Sequence, residues 1–191
     1  MAQKKNPFGE NFRRNINIGG KDGTEMEDFR KLGMGLQGQI DELISPMGEI
    51  SYFNTTGTAI AIATVSDGST NMVLCNPTCT LENHRLFDMP ANGRLRYIGG
   101  HCKMFHVAST ISFAAEEAND VFVIGLAKNG TVLPTSKCLT KILNANDTAS
   151  TALHVMVELC KDDYLELYVG NITDAGDFTL KTFNVFAMGM K

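Results

Sequence analysis

The 191-residue chain lacks an apolar run long enough to cross a membrane, and no apolar segment follows its polar first five residues. A membrane-spanning helix needs about 20 consecutive apolar residues, and a secretory leader needs an apolar stretch behind a basic start. We therefore expect no membrane partner and no export. The five cysteines form no even set, so without export we expect free, buried thiols rather than a disulfide framework.

Catalytic and cofactor signatures are also missing. No Ser, His and acid trio stands out, and no glycine pair precedes the helix that a phosphate-binding loop needs. Cys75 and Cys79 are four residues apart, with His84, His101 and Cys102 downstream. That spacing does not match the closer ligand pairs of structural zinc sites. We expect a protein that is not an enzyme, with no catalytic residue, metal or cofactor.

Two acidic pairs, Glu116-Glu117 and Asp162-Asp163, fall between predicted strands. Together with loop carbonyls, such carboxylates could hold a calcium ion. Acidic residues in turns are more often solvated, and we favour that interpretation for both pairs.

What the chain does have is alternation of apolar and polar residues, which is clearest between residues 152 and 188. One apolar set is Leu153, Val155, Val157 and Leu159, and the next is Leu165, Leu167 and Val169. A period of two predicts strands with one face in a core. About ten such runs follow residue 48, and the sequence Lys128-Asn129-Gly130-Thr131 predicts a tight turn. The pattern predicts an all-β jelly-roll sandwich over residues 48–191.

The last of these strands changes phase along its length. Phe178 and Leu180 fall on one face by simple alternation, whereas Phe183 and Val185 fall on the other. We therefore predict a β-bulge near Thr182.

Residues 1–23 form a predicted extended basic arm. Lys4, Lys5, Arg13, Arg14 and Lys21, opposed by Glu10 alone, give residues 1–21 a charge of +4, although the whole chain carries −4. Such an arm can bind nucleic acid or an acidic neighbouring subunit. Five basic residues with an interspersed Glu10 argue against nucleic acid.

Residues 24–47 are a predicted amphipathic helix and linker. Phe29, Leu32, Leu36 and Ile40 recur at steps of three and four, which is the spacing of a helical stripe. Two interpretations remain open: the helix folds back on its own domain, or it bundles with copies of itself.

Several tyrosines and methionines fall on the solvent side of their predicted strands. Met156, Tyr164 and Tyr168 are the clearest. Monomers seldom expose large apolar patches, so we predict that these three residues form an oligomer contact. The alternative is that the N-terminal helix covers them.

Four segments, in this order, carry a family resemblance: "RLRYIGG..KMFHVASTISF", "VFVIGLAKNGTVL", "TALHVMVELCKDDYLELYVGN" and "FTLKTFNVFAMG". Over residues 48–191 the chain resembles the trimeric jelly-roll heads of the complement globular head and tumour necrosis factor, especially the versions found in tailed-phage virions. Asp162 is a departure, because a Gly commonly precedes the Asp-aromatic pair in that family.

The resemblance implies a homotrimer displayed on a particle by an N-terminal anchor. We therefore expect a virion structural protein, assembled in the host cytoplasm, that decorates or cements a capsid. Residues 1–45 would bind the major capsid protein or another virion protein. Two alternatives remain: a fibre-tip receptor-binding head using loops 76–86 and 116–120, and a small-virus shell protein with a basic genome-binding arm.

Overall fold

The computed structural model describes residues 31–36 and 45–190 of the chain. The chain divides into two compact units, Met1–Ile44 and Ser45–Lys191. In the first unit, residues 31–36 are helical, as the apolar stripe predicts. Leu32 is half-buried there, whereas Leu36 is exposed. The other predicted anchoring residues lie outside the described residues: Lys4, Lys5, Arg13, Arg14, Phe29 and Ile40.

The regular secondary structure in the described part of the second unit consists almost entirely of β-strands. They are β1 (Met47–Ile60), β2 (Val73–Cys75), β3 (Thr80–Leu81), β4 (Phe87–Ala91), β5 (Arg94–Tyr97), β6 (Lys103–Ala115), β7 (Val121–Lys128), β8 (Thr131–Val132), β9 (Cys138–Lys141), β10 (Thr148–Leu159), β11 (Tyr164–Asn171) and β12 (Phe178–Gly189). One 3₁₀ turn, Pro134–Ser136, lies between β8 and β9. None of the helical segments that the structure describes is long and apolar enough to cross a membrane.

These strands form two antiparallel sheets. The first sheet has the order β10-β6-β12-β1-β3, and the second has the order β4-β5-β11-β7-β8, with β2 also pairing with β11 and β9 with β7. From β5 onward the chain passes repeatedly from one sheet to the other: β6, β10 and β12 lie in the first sheet, and β7 and β11 in the second. This exchange is the jelly-roll architecture that the alternation predicts.

Side chains from both sheets fill the space between them. Leu153, Val155, Val157 and Leu159 of β10 are buried, as are Leu165, Leu167 and Val169 of β11, so both predicted apolar sets face the core. Two aromatic clusters extend this core. One contains Phe87, Tyr97 and Phe105, and the other contains Phe113, Phe122 and Phe178.

A bulge lies in β12, where the change of phase predicts it. The pairing of β12 with β6 shifts register between Leu180 and Thr182. Because of this one-residue insertion, Phe178 and Leu180 face the same core as Phe183 and Val185, and all four are buried.

The predicted tight turn joins β7 to β8. Asn129 and Gly130 both have positive φ, at 52° and 79°, which is the conformation of a two-residue hairpin turn. Lys128 pairs with Thr131 across it.

Two strands were missed by the alternation pattern. β4 contains Pro90 and β9 is only four residues long, so neither shows a run of alternating apolar residues. Both strands lie at edges of the second sheet, where a strand buries less apolar surface than in the middle. Proline is tolerated at such edges. The sandwich therefore has twelve strands rather than about ten.

Asp163 is not the solvated turn acid that we predict. Its carboxylate accepts hydrogen bonds from Asn129 Nδ2 at 2.6 Å and from the Cys160 backbone N–H at 2.8 Å, and it pairs with Lys128 Nζ at 2.8 Å. Partial burial opposes ionisation, but these donors outweigh it and lower the pKa of Asp163. Asp163 is thus a structural acceptor between β10 and β11.

Cys102 and Cys160 are joined by a disulfide, so the prediction of free thiols is wrong for this pair. Lys103 pairs with Leu159 in the β6–β10 ladder, which places the two cysteines opposite each other just beyond the strand ends. Their Cα atoms are 3.9 Å apart. Sequence spacing could not reveal the pair, because 58 residues separate the two cysteines and only the register brings them together.

Replacing both Cys102 and Cys160 with Ser should lower the free energy of unfolding by about 2–4 kcal/mol, because the disulfide closes a long loop in the unfolded chain. Calorimetry measures the accompanying fall in melting temperature. Cys138→Ser is the control, since Cys138 is a free, partly exposed thiol. Alkylation of the unfolded, unreduced protein should modify three thiols, and modification of all five would contradict the prediction.

Candidate oligomer face

The outward side of the first sheet carries several exposed apolar side chains. Alternate residues of β1, β6, β10 and β12 point away from the core, and the cross-strand register aligns them in rows. One row runs Met156, His106, Met188 and Met47 across four strands. Met104 lies beside this row, opposite Glu158.

Three methionines of this surface are strongly exposed, and we call Met104, Met156 and Met188 the methionine patch. Their side chains are 45%, 49% and 43% exposed. Met156 and Met188 both pair with His106, and Met104 precedes His106 by two residues on the same face of β6. Methionine side chains are flexible and polarisable and are frequent at adaptable binding surfaces. The patch therefore has the composition of a contact surface.

The next row along the face contains His154, Ala108, Phe186 and Glu49. The His154 and His106 rings are neighbours, with centroids 6.2 Å apart. Glu49 accepts a hydrogen bond from Asn184 Nδ2 at 2.6 Å, so its charge is partly satisfied within the sheet. The middle of the face thus presents imidazole and apolar groups, and the carboxylates lie at its sides.

The remainder of the face is small and polar. Ser112 and Ser150 are hydrogen-bonded through their hydroxyl groups at 2.8 Å, and Thr110 lies between them and the histidines. Phe53, at the bulge of β1, is 77% exposed and is the most exposed large apolar side chain among the described residues. Short side chains let another backbone approach closely, and an exposed phenylalanine offers it an anchor.

The three predicted oligomer-contact residues do not come together within one chain. Met156 belongs to the methionine patch, whereas Tyr164 and Tyr168 lie on the outward side of the second sheet. Both tyrosines are half-buried. Any contact of Met156 with these tyrosines must therefore join two different copies.

The tyrosines flank an ion pair between a buried carboxylate and a partly exposed guanidinium, which the sequence pattern missed. Glu166 follows the outward alternation of β11, yet it is only 2% exposed. Arg94 Nε and Nη2 both donate to Glu166 Oε1, at 2.9 and 2.7 Å, and the guanidinium stacks over the Tyr164 ring 4.0 Å from its centroid. Burial, followed by the Glu166 charge, raises the pKa of Tyr168. Sequence reasoning could have found this pair only by placing Arg94 on a strand beside β11.

A cavity of about 430 Å³ opens on the same side of the molecule as these tyrosines. Its lining includes Tyr168, Thr131, Ser69 and Lys137. Lys137 Nζ is held by hydrogen bonds to the Gly68 carbonyl at 2.7 Å and to Ser69 Oγ at 3.1 Å. The cavity combines hydroxyl groups, one cation and one aromatic side chain, and it lies on the opposite side of the sandwich from the methionine patch.

Two of the three free cysteines do not provide reactive thiols. Cys75 and Cys79 are both buried, and burial raises the pKa of Cys75 far above its usual value and that of Cys79 to about 11. Thiols with such pKa values stay protonated at neutral pH and are poor nucleophiles and metal ligands. His84 is exposed and is held by the Glu82 carbonyl at 2.7 Å.

No known protein-family profile matches this chain, and no curated protein matches it. Solved structures do resemble it. The structure of Eiger TNF from S. frugiperda is 14% identical, covers 78% of this chain and 92% of its own, and gives a TM-score of 0.49. The PRD1 vertex protein P5 is 10% identical, with coverages of 76% and 97% and a TM-score of 0.42. Murine APRIL is 12% identical, with coverages of 77% and 100% and a TM-score of 0.45.

These similarities are low. The jelly-roll assignment above therefore rests on the strand order of this chain, and the function has to be argued from its surfaces.

Arg94→Met should destabilise the protein by about 3 kcal/mol, because it leaves the buried Glu166 carboxylate without its partner. Adding Glu166→Leu to that variant should restore most of the loss, since both charges are then gone. Urea unfolding of the two single variants and the double variant measures the coupling. If the double variant lost as much stability as the two single variants together, the pair would carry no net interaction.

Proposed function

We propose that this chain is a non-enzymatic virion structural protein whose jelly-roll heads form a homotrimer. The observation that carries the proposal is the methionine patch, three exposed methionines at adjoining positions of one sheet face. A soluble protein seldom leaves such a surface uncovered. Glu158 is the carboxylate next to this patch, because it pairs with Met104 on the edge strand β10, so a covering partner has to pair this group or leave it in water.

A second copy of the chain is the occupant that we favour. The tyrosine side of the second sheet presents the half-buried rings of Tyr164 and Tyr168 and the partly exposed guanidinium of Arg94. Contact between the methionine patch of one copy and the tyrosine side of the next would join two different surfaces. Contacts of that kind form a closed ring when the rotation between neighbouring copies closes, and an open stack when it does not. A ring of three is the arrangement that the family resemblance implies.

Changing both Met156 and Met188 to Glu should convert the trimer into monomers. Each substitution places a charge on the methionine patch, where the contact would bury it. Light scattering coupled to gel filtration distinguishes one 20.8 kDa chain from three. Leu143→Glu is the matched control, since Leu143 is 63% exposed in the loop after β9.

The tyrosine variants decide between two contact geometries. Tyr164→Ala with Tyr168→Ala should weaken association as well, if methionine and tyrosine sides meet. Association that depends on the methionines alone would mean that the tyrosine side is not part of the contact. The measured mass would then distinguish a dimer of two patches from a trimer with three patches about one axis. A wild-type chain that is monomeric at micromolar concentration would reject self-association.

We further propose that residues 1–45 anchor the head on the particle. The basic arm and the helical stripe support this assignment, because both are surfaces that an isolated head does not need. The capsid partner would present an acidic or symmetric surface to the arm. The same copies would then decorate or cement the shell.

Deleting residues 1–23 should abolish binding to the particle and leave a soluble trimer. Cosedimentation of the truncated protein with particles that lack the native copy measures the first effect, and gel filtration measures the second. Undiminished cosedimentation would contradict the anchor role.

Receptor binding is the second candidate function, and the cavity beside Tyr168 is the observation that favours it. Its hydroxyl groups and the Lys137 cation suit a polar ligand such as a glycan. Binding of the truncated head to host cells, lost in Lys137→Ala, would favour this function over cementing.

A further inference from the structure

Asp120, at the entry to β7, is buried in an unusual way. Its side chain is 0% exposed, and neither carboxylate oxygen has a hydrogen-bond partner among the described residues. Its backbone carbonyl accepts a hydrogen bond from the Ile142 N–H at 2.8 Å, and Asn171 and Asp174 are the polar side chains that act on its carboxyl group. A buried carboxylate without partners is strongly unfavourable unless a proton or a cation neutralises it.

A second carboxylate shares the same space. A methyl group placed on Gly176 would lie 2.9 Å from Asp174 Oδ1, 3.0 Å from Asp120 Oδ2 and 3.5 Å from Asn171 Nδ2, so both carboxylate oxygens and one amide group converge on the point above this glycine. Burial and the Asp174 charge together raise the pKa of Asp120, and Glu117 adds to the same effect. No ion pair in the described part of the chain brings Lys, Arg or His to these carboxylates.

The loop between β11 and β12 holds Asp174 in place. Asp174 Oδ1 accepts hydrogen bonds from the Gly176 N–H at 2.7 Å and from Asn171 Nδ2 at 2.8 Å. Asn171 is itself fixed, because its Oδ1 accepts from the Thr173 N–H at 2.9 Å and its Nδ2 reaches the Gly176 carbonyl at 3.3 Å. The second carboxylate is therefore positioned before any ligand arrives.

We propose that Asp120 and Asp174 bind a calcium ion between the β6–β7 and β11–β12 loops. Calcium prefers carboxylate, carbonyl and water oxygens and accepts irregular geometry. Sulfur and imidazole ligands, which would favour zinc, are not part of this group.

The expected affinity follows from the small number of carboxylates. Within the described ranges, no group of three or more His, Cys, Asp or Glu side chains is placed to hold a metal ion. Carbonyl oxygens and water must therefore complete the shell, and the dissociation constant should fall in the millimolar range typical of extracellular calcium modules. Neither acidic pair singled out in the sequence supplies the two proposed carboxylates.

The test is the melting temperature of the full-length protein at pH 8, in EDTA and in 10 mM calcium chloride. Calcium should raise the melting temperature of the wild type by about 3–5 °C. Asp120→Asn removes the unpaired charge, so it should melt higher than the wild type in EDTA and should not respond to calcium. Glu116→Gln is the matched control, because Glu116 is an exposed acid of the same β6–β7 loop.

Calorimetric titration of the wild type with calcium provides a second measurement if Asp120→Asn fails to fold, and it should show one site per chain. The rival explanation is a proton shared by the two carboxylates. A raised pKa in the folded state makes such a proton stabilising at low pH, and its contribution is lost as the pH rises. Stability that increases on acidification, with no response to calcium at pH 8 and no binding heat, would overturn the proposal.

Discussion

The bulge in β12 is the constraint on which the sandwich depends. β12 lies between β6 and β1 in the middle of the first sheet, so its register fixes the faces of both neighbours. Without the extra residue between Leu180 and Thr182, either Phe178 and Leu180 or Phe183 and Val185 would point to solvent. Two of the core phenylalanines come from this one strand. The same insertion keeps Phe186 and Met188 on the outward side, where the methionine patch forms.

The core was predictable because it depends on local alternation. Leu153 to Leu159 and Leu165 to Val169 show their burial in the sequence itself, and the change of phase in β12 even locates its bulge. Short edge strands such as β4 and β9 carry too few apolar residues for the same reasoning. The Cys102–Cys160 disulfide depends on register between distant segments, which no spacing reveals.

Sequence reasoning also failed for polar residues at buried positions. Glu166 and Asp120 look like solvent-facing acids, because a charged residue in an alternating strand or a loop usually is one. Glu166 is buried by a guanidinium from β5, and Asp120 by loops that come from distant parts of the chain. Such partners are visible only after folding. Of the predicted oligomer contacts, Met156 belongs to the methionine patch, on the edge strand β10, and Tyr164 and Tyr168 lie on the opposite side.

The pairing of Met47 with Met188 makes the two ends of the sandwich different from each other. Because the first and last long strands are antiparallel neighbours, the polypeptide enters and leaves the sandwich at one end, which also carries the disulfide. The β6–β7, β9–β10 and β11–β12 loops gather at the other end. If the chain is held near Met47, those three loops therefore point away from the attachment. They then form the surface that is most accessible to other molecules.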